Sequence, residues 1–88
     1  MPMRVAILSP EREVWSGEAD MVVARTTEGD IGVLTGHVSL LGVLAAGSQV
    51  RVKTGAETLS VDVDGGFLSV TKQGVSILVE HGVVSTGS

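Results

Sequence analysis

Cysteine is absent from this chain of 88 residues, and aromatic rings are scarce, since Trp15 and Phe67 are the only two. Without cysteine, the chain can form neither a disulfide framework nor a thiolate metal site. Basic residues are also few: six Lys and Arg against ten Asp and Glu give a net charge of −4. Because nucleic-acid binding requires a basic surface and often uses stacking rings, we exclude nucleic acid as a partner.

Long hydrophobic runs are missing as well. The longest uncharged stretch near the middle of the chain, Val33 to Val50, is interrupted by glycine, histidine, serine, threonine and glutamine. A membrane-spanning helix needs about 20 predominantly apolar residues, so we predict no transmembrane segment. The start, Met1 to Arg4, lacks the apolar core of a signal peptide. Any association with a membrane is therefore expected to be indirect, through a partner.

Valine is abundant, and several segments alternate between apolar and polar residues, as in Val50–Lys53, Leu59–Asp64 and Val75–Glu80. This period of two is typical of strands that bury one face. A single domain spanning residues 1–88, built as an all-β sandwich or barrel, is the predicted architecture. Turns are predicted where glycine-containing polar pairs and triplets separate the strands, at Ser16-Gly17, Glu28-Gly29-Asp30, Lys53-Thr54-Gly55, Asp64-Gly65-Gly66 and Lys72-Gln73-Gly74.

The segment "GDIGVLTGHVSLLGVL", residues 29–44, has neither a clean strand period nor a clean helical one. Its second half comes closest to a helix, but Gly42 interrupts it at a cost of about 1 kcal/mol relative to alanine, so we predict extended backbone. Ile31, Val33 and Leu34 are predicted to be strand and core positions. Trp15 is predicted to anchor the core of a domain poor in large residues.

Three features are candidate sites of chemistry. Asp62 and Asp64 share one strand face and could act as an acid/base pair or bind a hard cation, but alternation beside a turn already explains them. The glycines of residues 29–36 lack the Gly-Lys-Ser/Thr ending of a phosphate-binding loop. His37 has no orienting partner or nucleophile elbow in its local sequence. We expect no catalytic residue, cofactor or metal, although a hydrolase using Asp62 and Asp64 or His37 stays open.

Four segments together resemble the epsilon subunit of F-type ATP synthases. Residues 29–44 resemble a signature of that family, and "VDGGFLSV" at Val63–Val70 is similar to a second one. "SPEREVWSG" at Ser9–Gly17 resembles the family's opening hairpin, and "VSILVE" at Val75–Glu80 its last strand. The order and spacing of all four agree, so the resemblance covers essentially the whole chain. Thr35 and Ser39 stand where the family usually has proline, which removes two rigid φ angles.

The resemblance implies a flattened β-sandwich of short, mainly antiparallel strands. Family members also carry a carboxy-terminal pair of helices that brakes ATP hydrolysis in response to nucleotide. The chain ends at Ser88, so that helical domain is expected to be absent and its function is not carried over.

The implied function is that of a non-catalytic rotor subunit. It would sit in the central stalk and couple the gamma subunit to the membrane c-ring during proton-driven ATP synthesis, at the cytoplasmic face of the bacterial plasma membrane. By motif position, Glu28, Gly29, Asp30 and His37 would contact the c-ring. Ser9, Leu41 and Gly42 would contact the gamma subunit. The alternative is a free-standing binding module that recognises a peptide or small molecule at an exposed edge or pocket.

Overall fold

The computed structural model of the chain describes residues 3–36, 39–55 and 57–87. Over these ranges it is built from strands joined by short turns, which confirms the predicted all-β class. The described part contains no helix of the length and apolar character needed to cross a membrane. The strands are β1 Met3–Leu8, β2 Glu13–Ala19, β3 Met21–Thr26, β4 Gly29–Leu34, β5 Leu40–Leu44, β6 Ser48–Thr54, β7 Glu57–Val63, β8 Gly66–Thr71, β9 Gly74–Leu78 and β10 Gly82–Gly87.

Hydrogen-bonded pairing arranges these strands in two layers. The hydrogen-bonded path runs β10-β7-β6-β3-β5-β8-β9-β1-β2, with β4 also paired to β3. Division of this path between β3 and β5 gives the layers β10-β7-β6-β3-β4 and β5-β8-β9-β1-β2. Every neighbouring pair is antiparallel except β1 and β9, which run parallel. β3 joins the two layers. Its first residues pair with β6, and its last residue, Thr26, pairs with Leu44 of β5. The result is a β-sandwich in which β3 belongs to both hydrogen-bonded paths.

The core lies between the layers and consists of short apolar side chains. Alternate residues of β1, Met3, Val5 and Ile7, are buried, while β6 contributes Val50 and Val52 from the opposite layer. Full burial of each such aliphatic side chain is worth about 1.5–3 kcal/mol. The alternation seen in the sequence therefore corresponds to the inner and outer faces of real strands.

The predictions for Ser16-Gly17 and for Leu34 are wrong. Ser16 and Gly17, predicted as a turn, lie inside β2. Gly17 is needed there because the ring of Trp15 lies over it: a Cβ at residue 17 would come within 2.9 Å of that ring. Leu34, predicted as a core position, is 55% exposed, because it lies on the opposite strand face from the buried Val33. The prediction for Trp15 is confirmed, since this half-buried side chain packs against the core.

The turn between β7 and β8 depends on the absence of a side chain at Gly66. Its φ is 133°, in the region that favours glycine, and a Cβ there would collide with the backbone carbonyl oxygen of Leu78. β8 and β9 pair at Phe67 and Leu78 immediately beyond this approach. Gly66 thus allows β8 to begin beside β9, which places Phe67 on the outer face.

Candidate partner-docking surface

The β3–β4 hairpin carries most of the residues predicted to face the c-ring. Its closing pair is Thr26 and Gly29, with residues 27 and 28 forming the turn. The hydroxyl of Thr26 donates to the carbonyl oxygen of Gly29 at 2.7 Å and accepts from the backbone N–H of Glu28 at 3.2 Å. A φ of 125° at Gly29 completes the reversal. Local hydrogen bonds therefore fix the shape of this exposed hairpin.

Asp30 lies directly opposite Arg25 in this hairpin. The Nε of Arg25 donates to Oδ1 of Asp30 at 2.9 Å, although the two side chains are 67% and 61% exposed. This hydrogen bond, together with the attraction of the guanidinium charge, lowers the pKa of Asp30 and raises that of Arg25. Asp30, which is predicted to contact the c-ring, is therefore half of an ion pair rather than an isolated negative charge.

Of the other three residues predicted to contact the c-ring, two lie in the hairpin and one is not described. Glu28 and Gly29 are exposed at the hairpin, beside Asp30. His37 lies outside the described residues. The structure therefore brings Glu28, Gly29 and Asp30 together at one end of the domain.

An apolar strip covers the outer face of the second layer. Val43 of β5 pairs with Phe67 of β8, which in turn pairs with Leu78 of β9. Leu41 lies two residues from Val43 on the same strand face. We call these four residues, Leu41, Val43, Phe67 and Leu78, the outer strip; they are 74%, 47%, 51% and 49% exposed. Contiguous exposed apolar surface of this kind usually marks a site for a partner.

Two of the three predicted gamma-contact residues, Leu41 and Ser9, lie at opposite ends of this strip. Leu41 is part of it, on β5. Ser9 follows β1, whose last residue Leu8 pairs with Leu78. The N–H of Ser9 donates to the carbonyl oxygen of Arg12 at 2.9 Å, so Ser9 begins a tight turn. Gly42 shares the inner strand face of the buried Leu44, so only its backbone is available to a partner.

The sequence did not lead to Phe67 and Leu78 as predicted partner contacts. A signal for both exists, because Leu68 and Val70 alternate with Phe67, and Ile77 and Val79 alternate with Leu78. The period of two places Phe67 and Leu78 outward. What the sequence does not contain is the cross-strand register that brings them beside Val43.

The hairpin and the outer strip are connected through the backbone. The N–H of Thr27 donates to the carbonyl oxygen of Val43 at 2.9 Å, and the N–H of Ala45 donates to that of Arg25 at the same distance. The turn of the hairpin is thus bonded to β5, the strand that carries Leu41 and Val43. Two backbone hydrogen bonds therefore join the hairpin to the strand that carries half of the outer strip.

Asp62 and Asp64, the candidate carboxylates for catalysis or metal binding, are both exposed, and His37 lies outside the described residues. Asp62 accepts a hydrogen bond from Nε2 of Gln49 at 2.8 Å, as a surface cross-strand pair. It lines an open groove of about 380 Å³ with Asp64 and His81. Among the residues that the structure describes, no group of three His, Cys, Asp or Glu side chains is placed to hold a metal. The described part of the chain also has no buried side-chain polar atom left without a hydrogen bond.

Comparisons with known proteins agree with this architecture. A family model described as the beta-sandwich domain of the ATP synthase delta/epsilon chain matches residues 2–84. An ATP synthase epsilon chain of Frankia casuarinae is 74% identical over 80 residues, which span 91% of this chain and 94% of that relative. One of Thermobifida fusca is 53% identical, and the match covers 86% of this chain but 58% of that relative.

Two solved structures share the fold. A chain of the Euglena gracilis mitochondrial ATP synthase superimposes with a TM-score of 0.87 at 24% identity, covering 94% of this chain and 53% of that one. A chain from the central stalk and c-ring of the Tetrahymena thermophila mitochondrial ATP synthase gives 0.75 at 19% identity, covering 94% and 66%. Together with the matched family model and the Frankia relative, these results show that the chain belongs to the ATP synthase delta/epsilon family and comprises its beta-sandwich domain.

Proposed function

We propose that the chain is a non-catalytic subunit of the ATP synthase rotor that couples the gamma subunit to the c-ring during proton-driven ATP synthesis. The Frankia relative that matches along 94% of its length is an ATP synthase epsilon chain. The Tetrahymena structure that shares the fold is a central stalk with its c-ring. The chain would act as a peripheral part of the complex at the cytoplasmic face of a bacterial plasma membrane.

The outer strip is the proposed gamma-facing surface. Leu41, Val43, Phe67 and Leu78 expose apolar side chains side by side on a rigid sheet. Removing apolar area from water stabilises a complex by about 25 cal/mol per Å² before the costs of association. Ser9 lies at the far end of this face and adds a polar rim.

The β3–β4 hairpin is the proposed c-ring-facing surface. It presents Glu28, Gly29 and the paired Asp30 at one end of the domain, with His37 assigned by motif position alone. The polar loops of a membrane ring suit an exposed, polar contact of this kind. Such contacts contribute orientation and specificity more than affinity.

The direct bonding of the hairpin to β5 is the observation that carries this proposal. Thr27 and Ala45 donate the two backbone hydrogen bonds that hold the ring-facing turn against the gamma-facing strand. A rotor part must transmit torque between two partners, and bonded strands deform less than a flexible linker. The role uses the β-sandwich alone, so the nucleotide-responsive brake of the helical domain is not part of the proposal.

The gamma-facing assignment is tested by replacing Leu41 or Phe67 with serine and measuring binding to the matching gamma subunit. Each change removes an exposed apolar contact, so we expect binding about tenfold weaker or worse, as for a central interface residue. Val83→Ser is the matched control, because the exposure of Val83, 62%, lies between those of Leu41 and Phe67, while Val83 lies on β10 in the other layer. Equal affinity of Leu41→Ser, Phe67→Ser and wild type would contradict the assignment.

A further inference from the structure

The apolar row of the outer strip continues onto β1, the strand beside β9. Leu8 of β1 pairs in parallel register with Leu78 of β9. Leu8 is half-buried and follows the fully buried Ile7, so its side chain lies on the outer face. Val43, Phe67, Leu78 and Leu8 therefore form one transverse row across four adjacent strands. At about 4.8 Å per strand, the row is about 14 Å long.

A carboxylate terminates this row on β2. Continued register would set Val14 opposite Leu8, but a β-bulge on β2 sets Glu13 there instead. Val14 packs against the core, whereas Glu13 is exposed. Because a bulge re-aims the side chains around it, a charged residue is aligned with the apolar row while Val14 stays inside.

A second carboxylate, that of Glu80, lies at the same end of the row. The N–H of Val79 donates to the carbonyl oxygen of Leu8 at 2.8 Å, which holds the segment after β9 against the end of β1. Glu80 is the next residue and is exposed. In the part of the chain that the structure describes, neither Glu13 nor Glu80 has a side-chain hydrogen bond or an ion pair. Both carboxylates are therefore available to a partner.

Other charged groups around this end do not cancel the two carboxylates. Glu11 is exposed in the turn after β1, and Asp64 lines a groove with His81, which carries no formal charge at pH 7. Arg12 is a cation in the same turn, and its Nη2 donates to a backbone carbonyl oxygen of β10 at 3.5 Å. Arg4, at the other end of β1, is about 13 Å from Leu8 along the strand. Carboxylates thus outnumber cations here, and their field extends over a Debye length of about 10 Å at 0.1 M salt.

We propose that the gamma-facing surface extends over β1 and β2, with Leu8 as a further apolar contact and Glu13 and Glu80 as the site of a lysine or arginine side chain of gamma. This extension rests on the proposed function, since gamma is the partner assigned to the outer strip. The two parts act on different steps of binding. Leu8 excludes water from the assembled interface and slows dissociation, whereas the exposed carboxylates at its rim speed the encounter and orient the partner.

The test measures the association and dissociation rates of this chain with the matching gamma subunit, at low and at high salt. The double variant Glu13→Gln/Glu80→Gln should associate about tenfold more slowly than wild type at low salt and equally fast at high salt, where exposed charges are screened. Its control, Glu57→Gln/Asp62→Asn, makes the same change in net charge at exposed positions of β7 in the other layer and should associate like wild type. Leu8→Ala should dissociate about tenfold faster, with its association rate unchanged.

Opposite results separate the possible failures. Unchanged association of the Glu13/Glu80 variant at low salt, or equal slowing in the β7 control, would overturn the proposal, because the carboxylates would then have no local role. Slowing that persists at high salt would overturn it too, since the cause would not be charge. An unchanged dissociation rate for Leu8→Ala would remove Leu8 from the surface. If wild type itself fails to bind gamma, the gamma-facing half of the proposed function fails as well. Unchanged far-ultraviolet circular dichroism of each variant verifies that the fold is intact.

Discussion

The carboxylate of Asp30 shows how a neighbouring side chain changes the chemistry of a surface residue. Because the hydrogen bond from Arg25 favours the ionised form, the pKa of Asp30 lies below the ordinary aspartate value. An NMR titration of the folded protein should show this depression, and Arg25→Gln should raise the Asp30 midpoint towards the ordinary value. Lys72→Gln should leave it unchanged. An Asp30 midpoint that does not respond to Arg25→Gln would mean that the pair does not form in solution.

The same pair fixes the sign of a pH effect on stability. A folded-state pKa below the unfolded value means that the pair contributes stability above the unfolded pKa and loses it as pH falls through the folded pKa. The unfolding midpoint of wild type should therefore exceed that of Arg25→Gln near neutral pH, and the gap should close in strong acid. The difference should be small, because both side chains are exposed and solvent screens them.

Sequence reasoning identified Asp30 as a surface residue but not its partner. The signal was available in "RTTEGD", residues 25–30, because a two-residue turn at residues 27 and 28 sets Arg25 opposite Asp30. The turn was predicted one residue too late, at Glu28-Gly29-Asp30, which moves Asp30 out of the strand and hides the pairing. A shift of one residue in register changes which side chains face each other.

At the scale of single elements, the stability of two turns depends on glycines with positive φ, Gly66 and Gly55, but only Gly66 also lies against the backbone of another strand. Gly66→Ala should destabilise the domain by about 3 kcal/mol or more, because a left-handed φ is combined with a collision against the Leu78 carbonyl oxygen. Gly55→Ala is the matched control, since its φ is also positive, at 64°, but no atom lies within 4 Å of the added Cβ. It should cost only about 1–2 kcal/mol. Urea unfolding followed by Trp15 fluorescence measures both, and equal losses would show that the collision is relieved.

The strands themselves were largely predictable, and their exceptions have local causes. Alternation located β6, β7 and β9, because one face of each strand is buried. The glycine turn signal failed at Gly17, where a serine–glycine pair typical of turns instead makes room inside a strand for the Trp15 ring. Alternation itself was ambiguous in β4. It could not settle Leu34, because apolar residues occur on both faces of β4. Neither exception can be predicted from the sequence alone, because each depends on which side chains pack against the strand in the folded domain.

For the whole domain, the order of strands was beyond sequence reasoning. β3 pairs with β4 on one edge and is shared between β6 and β5 on the other. This branching comes from contacts between residues far apart in the chain. The family resemblance supplied the sandwich and the partner assignments, and the outer strip and the Arg25–Asp30 pair emerged only from the register of distant strands.

Assembly of the rotor from its parts is the most direct test of the proposed coupling role. The chain, the matching gamma subunit and the detergent-solubilised c-ring would be mixed and the complexes identified by native mass spectrometry. The proposed role predicts a complex that contains gamma, one copy of this chain and the ring, and less ring-bound gamma when the chain is omitted. A chain that joins neither partner, or ring-bound gamma that is unaffected by its omission, would contradict the account.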